Sequence, residues 1–266
     1  MNEIAFLGSG SMAAAMVDGM LAKNALAPAS MACIGGSGAS APKLASRTGI
    51  RLATSLRDLL SAAGTLVVAF KPQHLATADP SLAELTQGRL VISVLAGKKI
   101  EALARVFPRA RNIVRSMPNT PSRIGAGITG WCARSPLGTE DRKILDCLFG
   151  SLGREVELPE AQMDAFTAVC GCGPAYVFEF AAALRDSALA LGFDTTTSKL
   201  FAVETLLGAA RLLARQGVDP EVLRSEVTSP NGVTAAGLRK MADMGFRDVI
   251  RDAVKAAEGR SKELSV

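Results

Sequence analysis

Residues Gly8-Ser9-Gly10-Ser11-Met12-Ala13 follow the apolar run Ile4-Ala5-Phe6-Leu7 and open an Ala-rich stretch, so a G-x-G-x-x-A pattern lies between a predicted strand and a predicted helix. Each small residue has its own task. The first glycine permits a sharp turn, the second lets a backbone approach a diphosphate, and Ala13 lets helix and strand pack closely. N–H groups at the helix start then face the anion. The competing reading is a Gly-rich turn with no ligand. The rest of the first half argues against it, because short β-like runs keep alternating with amphipathic segments. The strands are expected at Ile4–Leu7, Met31–Ile34, Leu66–Phe70, Leu90–Val94 and Ile113–Arg115, with helices at about 12–22, 40–48, 55–63, 74–87 and 98–107. That order is the signature of a parallel, doubly wound α/β sheet. Trp131–Ala133 and Gly153–Leu158, separated by a helical 139–149, are expected as edge strands.

After Pro159 the pattern becomes helical only. Helices are expected at 174–191, 195–216, a short one from Pro220, 231–244 and 246–263. The Asp194/Thr195 cluster can cap the second, Gly217 can end it, and Pro174 sits in a first turn where its missing N–H does no harm. The division is therefore a dinucleotide-binding domain at 1–160 and a helical domain at 161–266. Val177-Phe178-Glu179-Phe180 makes the first long helix apolar on more than one face, which suits burial against a second subunit.

Composition excludes several classes. The chain has 266 residues, 48% of them hydrophobic, enough for a sizeable core. A net charge of +5 is spread without a basic run, so no nucleic-acid surface is expected. Five cysteines at irregular spacing suit a reducing, cytoplasmic compartment, and none of the spacings reads as a metal site. Ala25-Leu26-Ala27 mimics a processing site, yet Asn2-Glu3 replaces the basic start and Asp18 interrupts the apolar stretch, so no signal peptide is expected. The longest apolar runs are strand length, and no membrane association is expected.

Candidate site residues gather at the carboxyl ends of the predicted strands, where open α/β sheets bind ligands. Phe70-Lys71-Pro72-Gln73, Leu95-Ala96-Gly97 and Ser116-Met117-Pro118-Asn119-Thr120-Pro121 each end one. After the second strand, Gly35-Gly36-Ser37-Gly38-Ala39-Ser40 carries neither the carboxylate that binds a ribose diol nor an arginine. Without a carboxylate nothing repels a 2′-phosphate, and Ser37, Ser40 and Lys43 are placed to contact one, so the cofactor is NADPH or NADH with a lean to NADPH. Thr228-Ser229-Pro230-Asn231-Gly232-Val233-Thr234 is a hydroxyl-rich helix start suited to a carboxylate, although capping alone would also explain it. The only histidine, His74, reads as a surface or capping residue, which disfavours a His–carboxylate dehydrogenase.

Together these pieces resemble the pyrroline-5-carboxylate reductase family over nearly the whole chain. The matching pieces are Phe6-Leu7-Gly8-Ser9-Gly10-Ser11-Met12, Lys71-Pro72-Gln73, Ile92-Ser93-Val94-Leu95-Ala96-Gly97, Met117-Pro118-Asn119-Thr120-Pro121, Gly173-Pro174-Ala175-Tyr176, Thr228-Ser229-Pro230 with Gly232, and Arg260-Ser261-Lys262-Glu263-Leu264, of which those beginning at Met117, Gly173 and Thr228 are the specific ones. The resemblance implies a Rossmann-type domain followed by an all-helical dimerisation domain. It implies reduction of the cyclic imino acid 1-pyrroline-5-carboxylate to L-proline by a homodimer built through the helical domain, with higher oligomers assembled from dimers. It places cofactor contacts at Leu7, Gly8, Ser9, Gly10, Ser11, Met12, Ala69, Phe70, Lys71, Pro72, Ala96, Gly97 and Asn119, to which the residues after the second strand add Ser37, and substrate contacts at Ser229, Gly232, Val233 and Thr234. Thr234 would be the catalytic hydroxyl, donating toward the imine nitrogen, while Pro174 and Tyr176 would shape the interface.

Three departures stand out. Cys170 and Cys172 replace two serines, Asn231 replaces a glycine, and the usual Asn-Arg pair after the second strand is missing. A thiol is a weak donor, so the cysteines inherit no polar role, while asparagine tolerates a left-handed backbone. Of the rival readings, a β-hydroxyacid dehydrogenase would need a lysine on the first interdomain helix, where Tyr176-Val177-Phe178-Glu179-Phe180 has none. Two further rivals are a non-catalytic NAD(P)-binding regulator and a reductase of a six-membered imine.

Overall fold

Strand residues in the first half alternate between two apolar faces, as a period of two requires when both sides of a sheet are covered. Ile4, Phe6 and Val67 point to one side, while Ala5, Leu66 and Val68 point to the other, all fully buried. The computed structural model describes residues 3–36 and 38–265. In chain order the elements of the first half are β1 Glu3–Leu7, α1 Ser11–Ala22, β2 Met31–Ile34, α2 Ser40–Thr48, β3 Arg51–Leu52, α3 Leu56–Leu59 and β4 Ala63–Val68. They continue with α4 Leu82–Leu85, β5 Leu90–Ser93, α5 Ile100–Val106, β6 Asn112–Pro118, β7 Gly127–Ala133, α6 Thr139–Gly150 and β8 Gly153–Glu157. Among the described residues they form an eight-stranded sheet in the order β3-β2-β1-β4-β5-β6-β7-β8. Strands β1 to β6 are parallel to their neighbours, β7 runs antiparallel to β6, and β8 is parallel to β7.

Met16, Met20, Trp131 and Phe149 fill the layer under α1, α2 and α6, and Leu59, Leu82, Leu103 and Phe107 fill the opposite one. The remaining elements are α7 Met163–Phe166, a π-helical turn at Thr167–Gly171, α8 Gly173–Ala190, α9 Thr195–Gln216, α10 Pro220–Glu226, α11 Val233–Asp243 and α12 Phe246–Leu264. The chain divides into two compact units, Met1–Cys172 together with Ala257–Val266, and Gly173–Ala256.

Several predicted elements differ in extent. The third apolar strand starts earlier and stops at Val68, because Lys71-Pro72 opens a 3-10 turn at Pro72–His74 and draws Ala69 and Phe70 out of the sheet. The helix expected at 74–87 contracts to α4, since Pro80 interrupts it and the Asp79 carboxylate takes the Ser81 N–H at 2.9 Å. The helix expected at 55–63 stops at Leu59, because the chain has already entered β4 at Ala63. Strand β3 and the helical stretch that begins at Met163 are additions to the expected elements.

In the helical unit Asp194 accepts N–H bonds from Thr196 and Thr197 as the cap of α9, and Asp219 accepts one from Glu221 as the cap of α10. Gly217 ends α9 at φ 64°. Phe193 and Phe201 meet edge to face at 5.1 Å across the α8–α9 connection. Among the described residues 173–256 only Ser198 and Ala202 are buried, while Val177, Phe178, Leu200, Leu212 and others stand exposed. So much open apolar surface is the mark of an interaction face. Glu160–Ala190 is also long and apolar enough, by length and composition alone, to pass as a membrane-spanning helix, at mean hydropathy 1.3.

Candidate active site

The turn after β1 is fixed by backbone. The Gly8 N–H donates to the Ile34 carbonyl at 2.9 Å, and the Ala69 N–H donates to the Leu7 carbonyl at 2.8 Å. Gly8 takes φ 109°, and a Cβ there would lie 2.5 Å from the Ala69 carbonyl carbon and 2.6 Å from the Phe70 nitrogen. No side chain fits. Because β2 and β4 flank β1 on opposite sides, this turn sits at the point where the strand order reverses, which is where doubly wound sheets bind dinucleotides. Gly10, by contrast, has open space where a Cβ would be. It is the N-cap of α1 with no side-chain cap bond, and the first turn of that helix carries no acidic residue. The donors at this helix start remain for an anion.

The parallel strands β1, β4, β5 and β6 bring Leu7–Met12, Ala69–Pro72, Ala96–Gly97 and Asn119 to the same edge of the sheet. Ser9 is buried, and its hydroxyl lies 2.7 Å from that of Ser40 at the first turn of α2. Helix α2 likewise begins with no side-chain cap and no acidic residue. Ser37 lies outside the described residues. Lys71 is exposed at the start of the 3-10 turn, and His74 is exposed at its end. Asn119 is largely committed to structure: its amide donates to the Cys170 carbonyl at 3.0 Å and accepts from the Ile128 N–H at 3.0 Å.

Support beneath these loops has no signal in the sequence. Ser116 Oγ donates to the Ser93 carbonyl at 2.8 Å, and Ser93 Oγ accepts the Leu95 N–H at 3.2 Å, fixing the departure of the chain from β5.

In the helical unit, Thr228–Thr234 forms the start of α11. The Gly232 N–H donates to the Ser229 carbonyl at 3.0 Å, and Asn231 takes φ 56°, the left-handed region that asparagine tolerates. A Cβ on Gly232 would lie 2.2 Å from Ser229 Oγ, so glycine keeps that hydroxyl beside the helix start. Gly232 caps α11 with no side-chain bond, and no acidic residue occupies the first turn. Ser229, Val233 and Thr234 are all exposed there. Where α9 and α10 spend a carboxylate on their first N–H groups, α1, α2 and α11 leave theirs open.

The two cysteines that depart from the family pattern are half-buried, and the bond made at Cys170 comes from its carbonyl, which any residue supplies. Burial raises the Cys33 and Cys170 thiols, and burial followed by the Glu160 charge pushes Cys132 up to about 11. At pH 8 Cys132 would be about one part in a thousand thiolate. Brief alkylation of the native protein at that pH is therefore expected to leave the buried Cys33 and Cys132 unmodified and to label the half-buried Cys147, Cys170 and Cys172 first. Peptide mapping that finds Cys132 among the first modified would contradict the burial described.

A glycine turn at the switch point of a doubly wound sheet, joined to an all-helical unit, is the arrangement of a nicotinamide-dinucleotide-dependent oxidoreductase. Residues 160–264 match the pyrroline-5-carboxylate reductase dimerisation family, and residues 3–97 match the coenzyme F420-dependent NADP oxidoreductase family. Pyrroline-5-carboxylate reductase of Synechocystis is 35% identical over 98% of this chain and 98% of its own. That of Pseudomonas aeruginosa is 34% identical over 99% and 97%. Among solved structures, a pyrroline-5-carboxylate reductase from Coxiella burnetii superposes with TM-score 0.93 at 30% identity, covering 100% of this chain and 99% of that one. The Plasmodium falciparum pyrroline carboxylate reductase with NADP bound gives TM-score 0.84 at 28% identity, covering 100% and 98%. The chain belongs to the pyrroline-5-carboxylate reductase family.

Proposed function

We propose that this chain reduces 1-pyrroline-5-carboxylate to L-proline with NADPH in preference to NADH, as a cytoplasmic homodimer. The observation that carries the reading is the set of helix starts left open to anions. At α1, Gly10 leaves room and N–H donors for the cofactor diphosphate. At α2, the Ser9 and Ser40 hydroxyls donate to a 2′-phosphate that no acidic residue in the first turn repels, which favours NADPH. At α11, the first-turn N–H groups and the Ser229 hydroxyl hold the substrate carboxylate. Residues 1–160 act as the cofactor domain and the helices from Gly173 to Ala256 as the substrate and dimerisation domain, while Met163–Cys172 and the chain end from Ala257 pack with the first unit.

Reduction of an imine asks little acid–base work of a protein, since a protonated C=N bond is already electrophilic. A bound nicotinamide supplies the hydride. The chain binds, orients and excludes competing reactions. Leu7, Gly8, Ser9, Gly10, Ser11 and Met12, with Ala69, Phe70, Lys71 and Pro72, cradle the dinucleotide; Ala96, Gly97 and Asn119 bound its nicotinamide end. Ser229, Gly232, Val233 and Thr234 grip the imino acid, and the exposed Thr234 hydroxyl donates a hydrogen bond to the ring nitrogen. The exposed apolar faces of α8 and α9 are covered by a second copy, in keeping with the matched dimerisation family. Five free thiols suit a reducing compartment.

NADPH fully deuterated at nicotinamide C4 is expected to yield proline carrying one deuteron, on the ring carbon formerly doubly bonded to nitrogen. Unlabelled proline, or cofactor binding with no proline formed, contradicts the proposal.

A further inference from the structure

Arg115 projects from β6 into the protein and is 4% exposed, yet it lies in none of the cofactor or substrate loops. Its guanidinium meets two carboxylates, Glu160 at 3.2 Å and Asp164 at 3.5 Å. Each carboxylate then holds a second segment. The same oxygen of Glu160 accepts the Ile100 N–H at 2.7 Å, anchoring the start of α5 immediately after the Ala96–Gly97 turn. Asp164 Oδ1 accepts from Ser261 Oγ and from the buried Ser265 Oγ, both at 2.7 Å. These bonds fasten the last turn of α12 and the residue after it, across 97 and 101 positions of sequence. Leu264 consequently lies against the turn itself: a Cβ on Gly97 would be 3.2 Å from the Leu264 carbonyl oxygen, and Gly97 holds φ 70°. Burial alone would raise the Asp164 carboxyl, but the two serine hydroxyls and the Arg115 and Lys99 charges outweigh it and hold the group ionised below its ordinary value.

We infer that Ser261 and Ser265 are positioning residues for the cofactor: through Asp164 and Arg115 they press the chain end against Gly97 and so set the turn 95–100. The cofactor role of that turn rests on the proposed function; the mechanical coupling does not. Neither serine touches the reacting groups. Their contribution is the shape of one loop, which should be read as cofactor affinity rather than substrate affinity.

The test compares wild type with Ser261→Ala, Ser261→Ala/Ser265→Ala and the hydroxyl-retaining Ser261→Thr, using the full chain. Amide exchange at 97–100 is expected to quicken about tenfold or more in the double variant. NADPH affinity should weaken about three- to tenfold with KM for the imino acid little changed, and the melting temperature should fall only modestly because Asp164 keeps its Arg115 partner. Ser261→Thr should restore the wild-type values. Unchanged exchange at 97–100 overturns the coupling, as does a general loss of stability that raises both KM values together. If wild type binds no NADPH while the exchange result holds, the latch stands and the proposed function fails.

Discussion

Gly8→Ala is expected to abolish dinucleotide binding and to destabilise the fold by about 3 kcal/mol or more. The methyl group would lie 2.5 to 2.6 Å from backbone atoms of Ala69 and Phe70, in a residue at φ 109°. Backbone on a neighbouring central strand end cannot rotate away as a side chain can. Either β1 and β4 separate or the turn is rebuilt, and both alter the diphosphate site. Gly10→Ala separates the two effects. At Gly10 a Cβ meets no protein atom within 4 Å and φ is −73°, so alanine is tolerated by the fold. It nevertheless puts a methyl group into the proposed diphosphate site, and NADPH affinity is expected to fall about tenfold or more at near-constant stability. Denaturant midpoints and NADPH titrations of both variants decide the matter. A Gly10→Ala protein that binds NADPH as wild type does would remove the cofactor from this turn.

Gly232→Ala is expected to lower kcat/KM for the imino acid about a hundredfold while leaving NADPH affinity and stability nearly unchanged. Here the clash is soft: the added methyl would lie 2.2 Å from Ser229 Oγ, which can turn aside, and φ is −79°, open to any residue. The fold therefore yields cheaply. What is lost is the placement of the Ser229 hydroxyl at the start of α11, so the defect should appear with substrate and not with cofactor. Steady-state kinetics with each substrate varied in turn would show it, and an equal rise in both KM values would contradict the assignment of α11 to the imino acid. Thr234→Ala tests the neighbouring role, since full turnover without that hydroxyl would exclude hydrogen bonding to the ring nitrogen as a contribution.

The cofactor half of the protein is legible in the sequence because each of its signals is local. An apolar run, G-x-G-x-x-A and an Ala-rich stretch are contiguous, and Met31–Ile34 and Ser40–Thr48 fall where the periodicity puts them. Strand β3 is illegible: it has two residues, and Leu52 is 42% exposed, so no apolar run marks it. The antiparallel direction of β7 is equally hidden, because composition carries no direction. Met163–Gly171 escapes notice since its glycine- and cysteine-rich end reads as a loop, whereas it is wound as a π-turn in which the Cys172 N–H reaches the Thr167 carbonyl at 2.9 Å. Asp164 and Ser261 cannot be paired from spacing. The resemblance singles out Arg260–Leu264 as a motif, but the partner that gives it meaning lies 97 residues away.

The most direct measurement is NADPH oxidation by the purified protein at saturating cofactor, with 1-pyrroline-5-carboxylate and, in parallel, its six-membered homologue, each repeated with NADH. The proposed function predicts rapid turnover of the five-membered imine, faster with NADPH than with NADH, and proline as the product. NADPH binding with no oxidation by the five-membered imine would contradict it, and turnover of the six-membered ring alone would reassign the substrate and bring Cys170 and Cys172 into the pocket's specificity.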